Sequence, residues 1–107
     1  MRKIEEKLVK AIANRKPFHD GNTAFIKTGY NEWGLFLHGN KIAIFDSKSR
    51  DLETPTYVSL AGWPSKTTKS RLNCLKNVHV NTCKGIHYLN GKEIDSDGMF
   101  SPMNWNR

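Results

Sequence analysis

The sequence has little of what defines several large protein classes. Its two cysteines, Cys74 and Cys83, are too few among 107 residues for the disulfide framework of a small secreted domain. No apolar run approaches the ~20 residues of a membrane-spanning helix, and charges interrupt the first 16 residues, which excludes a secretory signal. We therefore expect one domain, residues 1–107, that remains in the cytoplasm and does not enter a membrane.

Motifs of catalysis and cofactor binding are also missing. The sequence has no P-loop, no glycine-rich dinucleotide motif and no serine elbow. Its carboxylates show neither a paired acid and base spacing nor a calcium-loop pattern; those in predicted loops are Asp46, Asp51, Glu53, Asp95 and Asp97. We therefore expect no enzymatic activity and no cofactor.

A zinc site would have to use Cys74, His79, Cys83 and His87, which follow one another at short intervals. The Cys-x2-Cys start of a zinc knuckle is missing, and the predicted elements put Cys74 in a helix and the other three along a strand region. Two thiols and two imidazoles without a metal are the favoured interpretation.

The charge that is present is positive and unevenly distributed. Seventeen lysine and arginine residues oppose ten acidic residues, which gives a formal net charge of +7. The first 16 residues carry six basic and two acidic side chains. From Thr54 to Lys92 there is no acidic residue, whereas six basic residues occur there: Lys66, Lys69, Arg71, Lys76, Lys84 and Lys92. Such concentration favours an anionic partner, most often nucleic acid, although an acidic protein surface attracts the same residues.

The first half of the chain predicts a helix followed by antiparallel strands. Apolar residues at helical spacing predict an amphipathic helix over residues 2–15, which Pro17 ends, with a loop to Asn22. Alternating residues then predict strands at 23–28 and 33–38, and Gly39-Asn40 predicts a hairpin turn to a third strand. This turn would pair Leu37 with Ile42 and Leu35 with Ile44, all facing the helix. Phe36 and Phe45 would lie on the other face.

The second half predicts a fourth strand at 56–60, a helix at 66–78 and a hairpin around Asn90-Gly91. The tail from Asp95 is expected to be irregular but docked through its apolar residues, Met99, Phe100, Met103 and Trp105. The predicted fold is α+β: an antiparallel meander sheet with an amino-terminal helix, a second helix after the sheet and a carboxy-terminal hairpin.

The start of the second helix is the predicted nucleic-acid-binding site. Ser65 or Thr67 can cap it, and the residues expected to grip phosphates are Lys66, Thr67, Thr68, Lys69, Ser70, Arg71 and Lys76. Ordinary capping and ordinary solvated lysines explain the same pattern. Cations near a helix start oppose its dipole, however, and this unfavourable placement points toward a ligand.

Several segments occur together in a recognisable combination: Asn22-Thr23, Leu37–Asn40 followed by Ile42-Ala43, Leu60–Pro64, Thr67–Asn73 and Tyr88–Gly91. In this combination, over most of its length, the chain resembles a family of short tailed-bacteriophage proteins without an assigned activity. The resemblance implies a phage gene product that works in the host cytoplasm. Phage early proteins of this kind commonly bind nucleic acid or inhibit host machinery.

Two further features bear on nucleic acid. The order of helix, strands and basic helix is similar to that of a double-stranded RNA-binding domain, in order alone, and the later strands depart from it. Aromatic residues could stack on bases if two or three were exposed on one sheet face; the candidates are Phe25, Trp33, Phe36, Phe45, Trp63 and Trp105. Core positions are the favoured interpretation, with Trp63-Pro64 packing the corner between sheet and helix.

The function predicted from the sequence is nucleic-acid binding through the start of the second helix. The alternative is a phage-encoded stoichiometric inhibitor that binds an acidic surface of a host protein.

Overall fold

The computed structural model describes residues 2–49 and 51–103. In chain order its elements are α1 (Lys3–Ala13), β1 (Phe18–Asp20), β2 (Thr23–Gly29), β3 (Glu32–Leu37), β4 (Asn40–Asp46), β5 (Tyr57–Val58), α2 (Lys66–Asn73), β6 (Val80–Cys83), β7 (Ile86–Leu89), β8 (Lys92–Ile94) and β9 (Ser101–Pro102). The predicted α+β class is confirmed, with its amino-terminal helix, its second helix after the sheet and its carboxy-terminal hairpin.

The strands form two antiparallel sheets. The larger has the order β1-β2-β3-β4-β5-β9, and the smaller has the order β6-β7-β8. β1 lies where the sequence predicted a loop, because Phe18 pairs with Phe25 across a tight turn. β9 lies in the tail that was expected to be irregular and pairs with β5. The meander is therefore longer than predicted at both edges; Trp105 lies outside the described residues.

The predicted turn between β3 and β4 is wrong by one residue. Leu37 pairs with Asn40, so the turn residues are His38 and Gly39 rather than Gly39 and Asn40. Their φ angles are 52° and 80°. Two consecutive positive φ angles are those of the type I′ turn, whose twist matches that of the flanking strands.

A register shift after Leu35 also changes which residues of β4 face the core. Leu35 pairs with Ala43 and Phe36 with Lys41, so Ile42 of β4 has no partner residue on β3. Such an extra residue reverses the alternation beyond it. Phe45 is therefore fully buried and Ile44 only half-buried, the opposite of the prediction.

The core lies between the inner face of the larger sheet and the two helices. α1 contributes Leu8 and Ile12, α2 contributes Leu72, and the smaller sheet contributes Val80 and Leu89. In the sheet itself, the ring of Phe25 stacks on Trp33 with centroids 4.8 Å apart and meets Phe45 edge-on at 5.4 Å. The outer face of the larger sheet is partly apolar, with the side chains of Ile26 and Tyr57 exposed.

α2 ends at Asn73, five residues before the predicted end at Val78. The side chain of Asn73 forms two hydrogen bonds with the backbone of Val80, one at 2.9 Å and one at 2.6 Å. These bonds hold the chain as it turns into β6. Leu75 and Val78 are buried as expected, but they belong to the connecting turn. Helical spacing of apolar residues therefore continues beyond the helix.

Candidate functional site

The start of α2 is fixed by hydroxyl groups, as predicted. Ser65 is the amino-terminal cap, and its Oγ accepts a hydrogen bond from the backbone N–H of Thr68 at 3.1 Å. The hydroxyl of Thr68 is buried and donates to the carbonyl of Trp63 at 2.8 Å. Thr68 was predicted to contact phosphate, but its hydroxyl forms this hydrogen bond inside the fold. Thr67 is half-buried on the first turn.

Arg71 is also inside the protein. Its Nη1 lies 2.8 Å from Oε2 of Glu5, and its Nε donates to Thr23 at 2.9 Å. Ser70 donates to the same oxygen of Glu5 at 2.6 Å. This network joins α1, β2 and α2, with Arg71 buried and Ser70 half-buried. Both side chains are engaged with Glu5, an arrangement that does not favour the predicted contact with nucleic acid.

The electrostatics of Glu5 agree with this network. Burial is the largest single effect and would raise the pKa of the carboxyl group, but the hydrogen bonds from Ser70, Arg71 and the backbone of Arg2, together with the charge of Arg71, lower the pKa below its usual value. Glu5 is therefore a carboxylate at neutral pH. The positive charge of Arg71 is compensated inside the fold.

Lys76 lies in the turn after α2 rather than on the helix. Its Nζ is 3.1 Å from Oδ2 of Asp51, in an ion pair whose two side chains are both substantially exposed. Hydrogen bonds from Thr54 and then from Lys76 lower the pKa of Asp51. Lys76 was predicted to contact nucleic acid together with the start of α2, but the fold directs it toward this acidic partner.

Lys66 and Lys69 are the predicted cations that remain near the surface. Lys66 is exposed, and the Nζ of Lys69 donates to the hydroxyl of Thr82 on β6 at 3.0 Å. Thr82 in turn lies 2.8 Å from Nδ1 of His87 on β7. Lys84 is exposed in the turn that joins these two strands. We call Lys66 and Lys69 of α2, together with Lys84 of the β6–β7 turn, the lysine strip.

Sequence reasoning did not place Thr82, Lys84 or His87 at the site. The signal was the dipeptide Lys84-Gly85, which forms the turn between β6 and β7 with φ angles of 51° and 81°. This turn pairs Thr82 with His87. Strand pairing across a short turn was therefore the sequence feature that could have found them.

The sequence predicted that Trp63 packs the corner between sheet and helix, and this prediction is wrong. Its side chain is 68% exposed beside a cavity of about 330 Å³. The residues that line this cavity are Leu37, His38, Asn40, Ile42, Leu60, Ala61, Trp63 and Thr68. The cavity therefore opens next to the first turn of α2.

The other aromatic candidates have structural positions. Phe25, Trp33 and Phe45 are buried in the core, as favoured from the sequence. Phe36 is half-buried on the outer sheet face, and its ring lies against Gly34, where an added Cβ would come within 2.9 Å of it. Among the described members of the predicted set, only Trp63 is exposed, and it lies in a turn rather than on a sheet face.

The cysteines differ in their surroundings. The thiol of Cys74 is half-buried, donates to the carbonyl of Arg71 at 2.9 Å, and has its pKa raised to about 12 by burial. Cys83 is exposed. Over residues 2–49 and 51–103, no group of three or more histidine, cysteine or acidic side chains is placed to hold a metal ion. Within the same ranges no helix is long and apolar enough to cross a membrane.

A family model described as Kyanoviridae Gp96 protein matches residues 1–107, the whole length of the sequence. The chain belongs to the Kyanoviridae Gp96 family. The resemblance to a family of tailed-bacteriophage proteins is thereby confirmed. No curated protein and no solved structure matches the chain.

Proposed function

We propose that this phage protein binds the phosphate backbone of nucleic acid through the lysine strip. The observation that carries the proposal is the distribution of partners among the basic residues. Arg71 is paired with Glu5 and Lys76 with Asp51, whereas the hydrogen bond of Lys69 goes to the uncharged Thr82. The positive charge of Lys69 is therefore not cancelled by the group that positions it.

The sequence around the lysine strip supports the same conclusion. No acidic residue occurs between Thr54 and Lys92, and the first turn of α2 contains none. Lys66 and Lys69 are one helical turn apart, so their side chains lie on neighbouring parts of the helix surface. Lysines of this kind bind phosphates as point charges and release counterions on binding. The expected binding is therefore sensitive to salt and largely independent of base sequence.

The test is a titration of duplex DNA by fluorescence anisotropy at several salt concentrations. Lys66→Ala/Lys69→Ala removes two cations of the lysine strip. Each lost phosphate contact on duplex DNA lowers the slope of log affinity against log salt by about 0.9, so this variant should lose about 1.8 if both lysines make contact.

The matched control is Lys48→Ala/Lys76→Ala, which removes the same net charge. Lys48 is exposed in the turn after β4, and Lys76 is already paired with Asp51. This control should leave the slope close to that of the wild type. Equal losses in the two double variants would mean that net charge alone drives binding, and the lysine strip would not be a site.

A second candidate function is stoichiometric inhibition of a host protein. It is favoured by the outer face of the larger sheet, where Ile26, Ile44 and Tyr57 lie in one row across neighbouring strands. Ile26 and Tyr57 are each more than 40% exposed, and exposed apolar side chains grouped in this way are typical of protein interfaces. Capture from a bacterial lysate treated with nuclease distinguishes the two functions, because an inhibitor retains one protein partner after the nucleic acid has been removed. Both functions place the protein in the host cytoplasm.

A further inference from the structure

The cavity beside Trp63 has the size and lining of a site for one small ring. Its volume of about 330 Å³ lies at the lower end of the range for ligand pockets, roughly 300–1,000 Å³. Leu37, Ile42 and Leu60 supply apolar surface, while His38 and Asn40 supply polar groups. No acidic side chain lines it. The lining therefore suits a flat, partly polar ring, and it does not repel a ring that is attached to a negatively charged chain.

Trp63 stands at this cavity on a backbone that is fixed from both sides. Its N–H donates to the carbonyl of Leu60 at 2.9 Å. Its own carbonyl accepts hydrogen bonds from the N–H of Ser65 and the hydroxyl of Thr68, both at 2.8 Å. The indole is nevertheless left mostly in solvent. The hydrogen bonds therefore fix the backbone of Trp63, while its exposed ring contributes little to folding and is available for stacking.

The turn that presents Trp63 is of the same kind as the β3–β4 turn. Ala61 and Gly62 have φ angles of 55° and 73°, and the N–H of Trp63 closes the turn by donating to the carbonyl of Leu60 at 2.9 Å. Two consecutive positive φ angles closed in this way are those of a type I′ turn, which places Trp63 shortly before α2.

The cavity and the lysine strip meet at the start of α2. Thr68 lines the cavity from the first turn of this helix, and Lys66 and Lys69 lie in the same part of the helix, although neither lines the cavity. A nucleic-acid strand whose phosphates contact Lys66 and Lys69 would therefore carry a neighbouring base toward Trp63. In a duplex that base is stacked and paired, whereas in a single strand it is free to leave the chain of stacked bases.

We propose that the cavity beside Trp63 binds one unpaired nucleobase, stacked on the indole, and that the protein therefore prefers single-stranded to duplex nucleic acid. This inference rests on the proposed function, since the lysine strip supplies the phosphate contacts. Stacking on an aromatic side chain tolerates any base, so the preference is for strandedness rather than sequence.

The experiment compares three probes of equal length: a short oligothymidylate, the same strand paired as a duplex, and a strand of abasic sites that keeps its phosphates. The wild-type protein should bind oligothymidylate most tightly. Trp63→Ala should weaken that binding roughly 5- to 150-fold, the range for removing one stacked base, and should leave the abasic strand and the duplex unaffected. Trp63→Phe should retain most of the affinity because it keeps an aromatic ring.

Tyr30→Ala is the matched control, because Tyr30 is an aromatic residue 87% exposed in the turn between β2 and β3. It should bind all three probes as the wild type does. A Trp63→Ala protein that melts like the wild type and keeps its affinity for oligothymidylate would overturn the inference. The proposed function would survive that result if Lys66→Ala/Lys69→Ala still reduced the salt slope.

Two other outcomes are equally decisive. If none of the three probes binds the wild-type protein, the proposed function fails and this inference fails with it. If Trp63→Ala leaves nucleic-acid binding unchanged but abolishes capture of a protein from nuclease-treated lysate, the cavity receives a protein side chain, and the base site is refuted.

Discussion

Glu5→Gln should destabilise the protein severely, because it removes the charge that compensates Arg71. The two side chains of this ion pair are only 3% and 5% exposed, so solvent screens them little. Removing one partner of a buried pair leaves an uncompensated charge and costs about 3–5 kcal/mol. A domain of this length has a total stability of about 5–15 kcal/mol. At about 4 °C or more per kcal/mol, Tm should fall by at least about 12 °C.

The assay is thermal and urea unfolding of three variants. Glu6→Gln, which changes an exposed neighbour on α1, is the matched control and should melt like the wild type. Glu5→Leu/Arg71→Met replaces both charges by apolar groups and should recover most of the loss, because the desolvation cost disappears with the pair. A loss of less than about 1 kcal/mol in Glu5→Gln, or a double variant as unstable as the single one, would refute the reasoning.

The remaining predictions concern pH, the β3–β4 turn and the cysteines. Because the folded pKa of Glu5 is below its usual value, the stability that Glu5 contributes is complete near neutral pH and is lost as the pH falls from about 4.5 through the folded pKa. Urea midpoints measured against pH should show this acid loss of stability in the wild type and not in Glu5→Gln. His38→Asn should raise the free energy of unfolding from urea titration by about 0.5 kcal/mol, since asparagine tolerates a positive φ angle better, and an unchanged free energy would argue against this turn position. Iodoacetamide at neutral pH should modify Cys83 and spare Cys74 until the protein unfolds, as mass spectrometry of tryptic peptides would show.

Local sequence patterns were sufficient to predict several elements of the fold. The apolar spacing of Leu8 and Ile12 predicts α1, and both side chains are buried there. Asn90-Gly91 predicts the turn between β7 and β8, and the strands pair on either side of it. Each of these features depends on a few residues that are neighbours in the sequence, so the local pattern was enough to predict it.

Features set by distant contacts were not predictable in the same way. The register of β3 and β4 depends on the extra residue Ile42, and nothing in the local alternation indicates it. The end of α2 depends on hydrogen bonds between Asn73 and Val80. The apolar residues of the turn between them have helical spacing, which predicts a longer helix. The burial of Arg71 depends on Glu5, which is 66 residues away in sequence.

The burial of Arg71 also changes which charges lie at the start of α2. The sequence favoured a ligand because cations near a helix start oppose its dipole, and Arg71 was counted among them. In the folded chain Arg71 lies in the last turn of α2, where a positive charge is favourable, and its charge is paired. Only Lys66 and Lys69 remain near the positive end of a helix whose first turn has no acidic residue.

Fewer basic residues are therefore available to a ligand at the start of α2 than the sequence predicted. The fold uses Arg71 to join its two helices, and Lys76 has an acidic partner. Lys66 and Lys69 have no such role in α2: one is exposed, and the other is positioned by a threonine hydroxyl. Because a lysine beside a helix start costs stability rather than adding to it, replacing these two residues should affect binding without weakening the fold. Replacing Arg71, in contrast, should weaken the fold first.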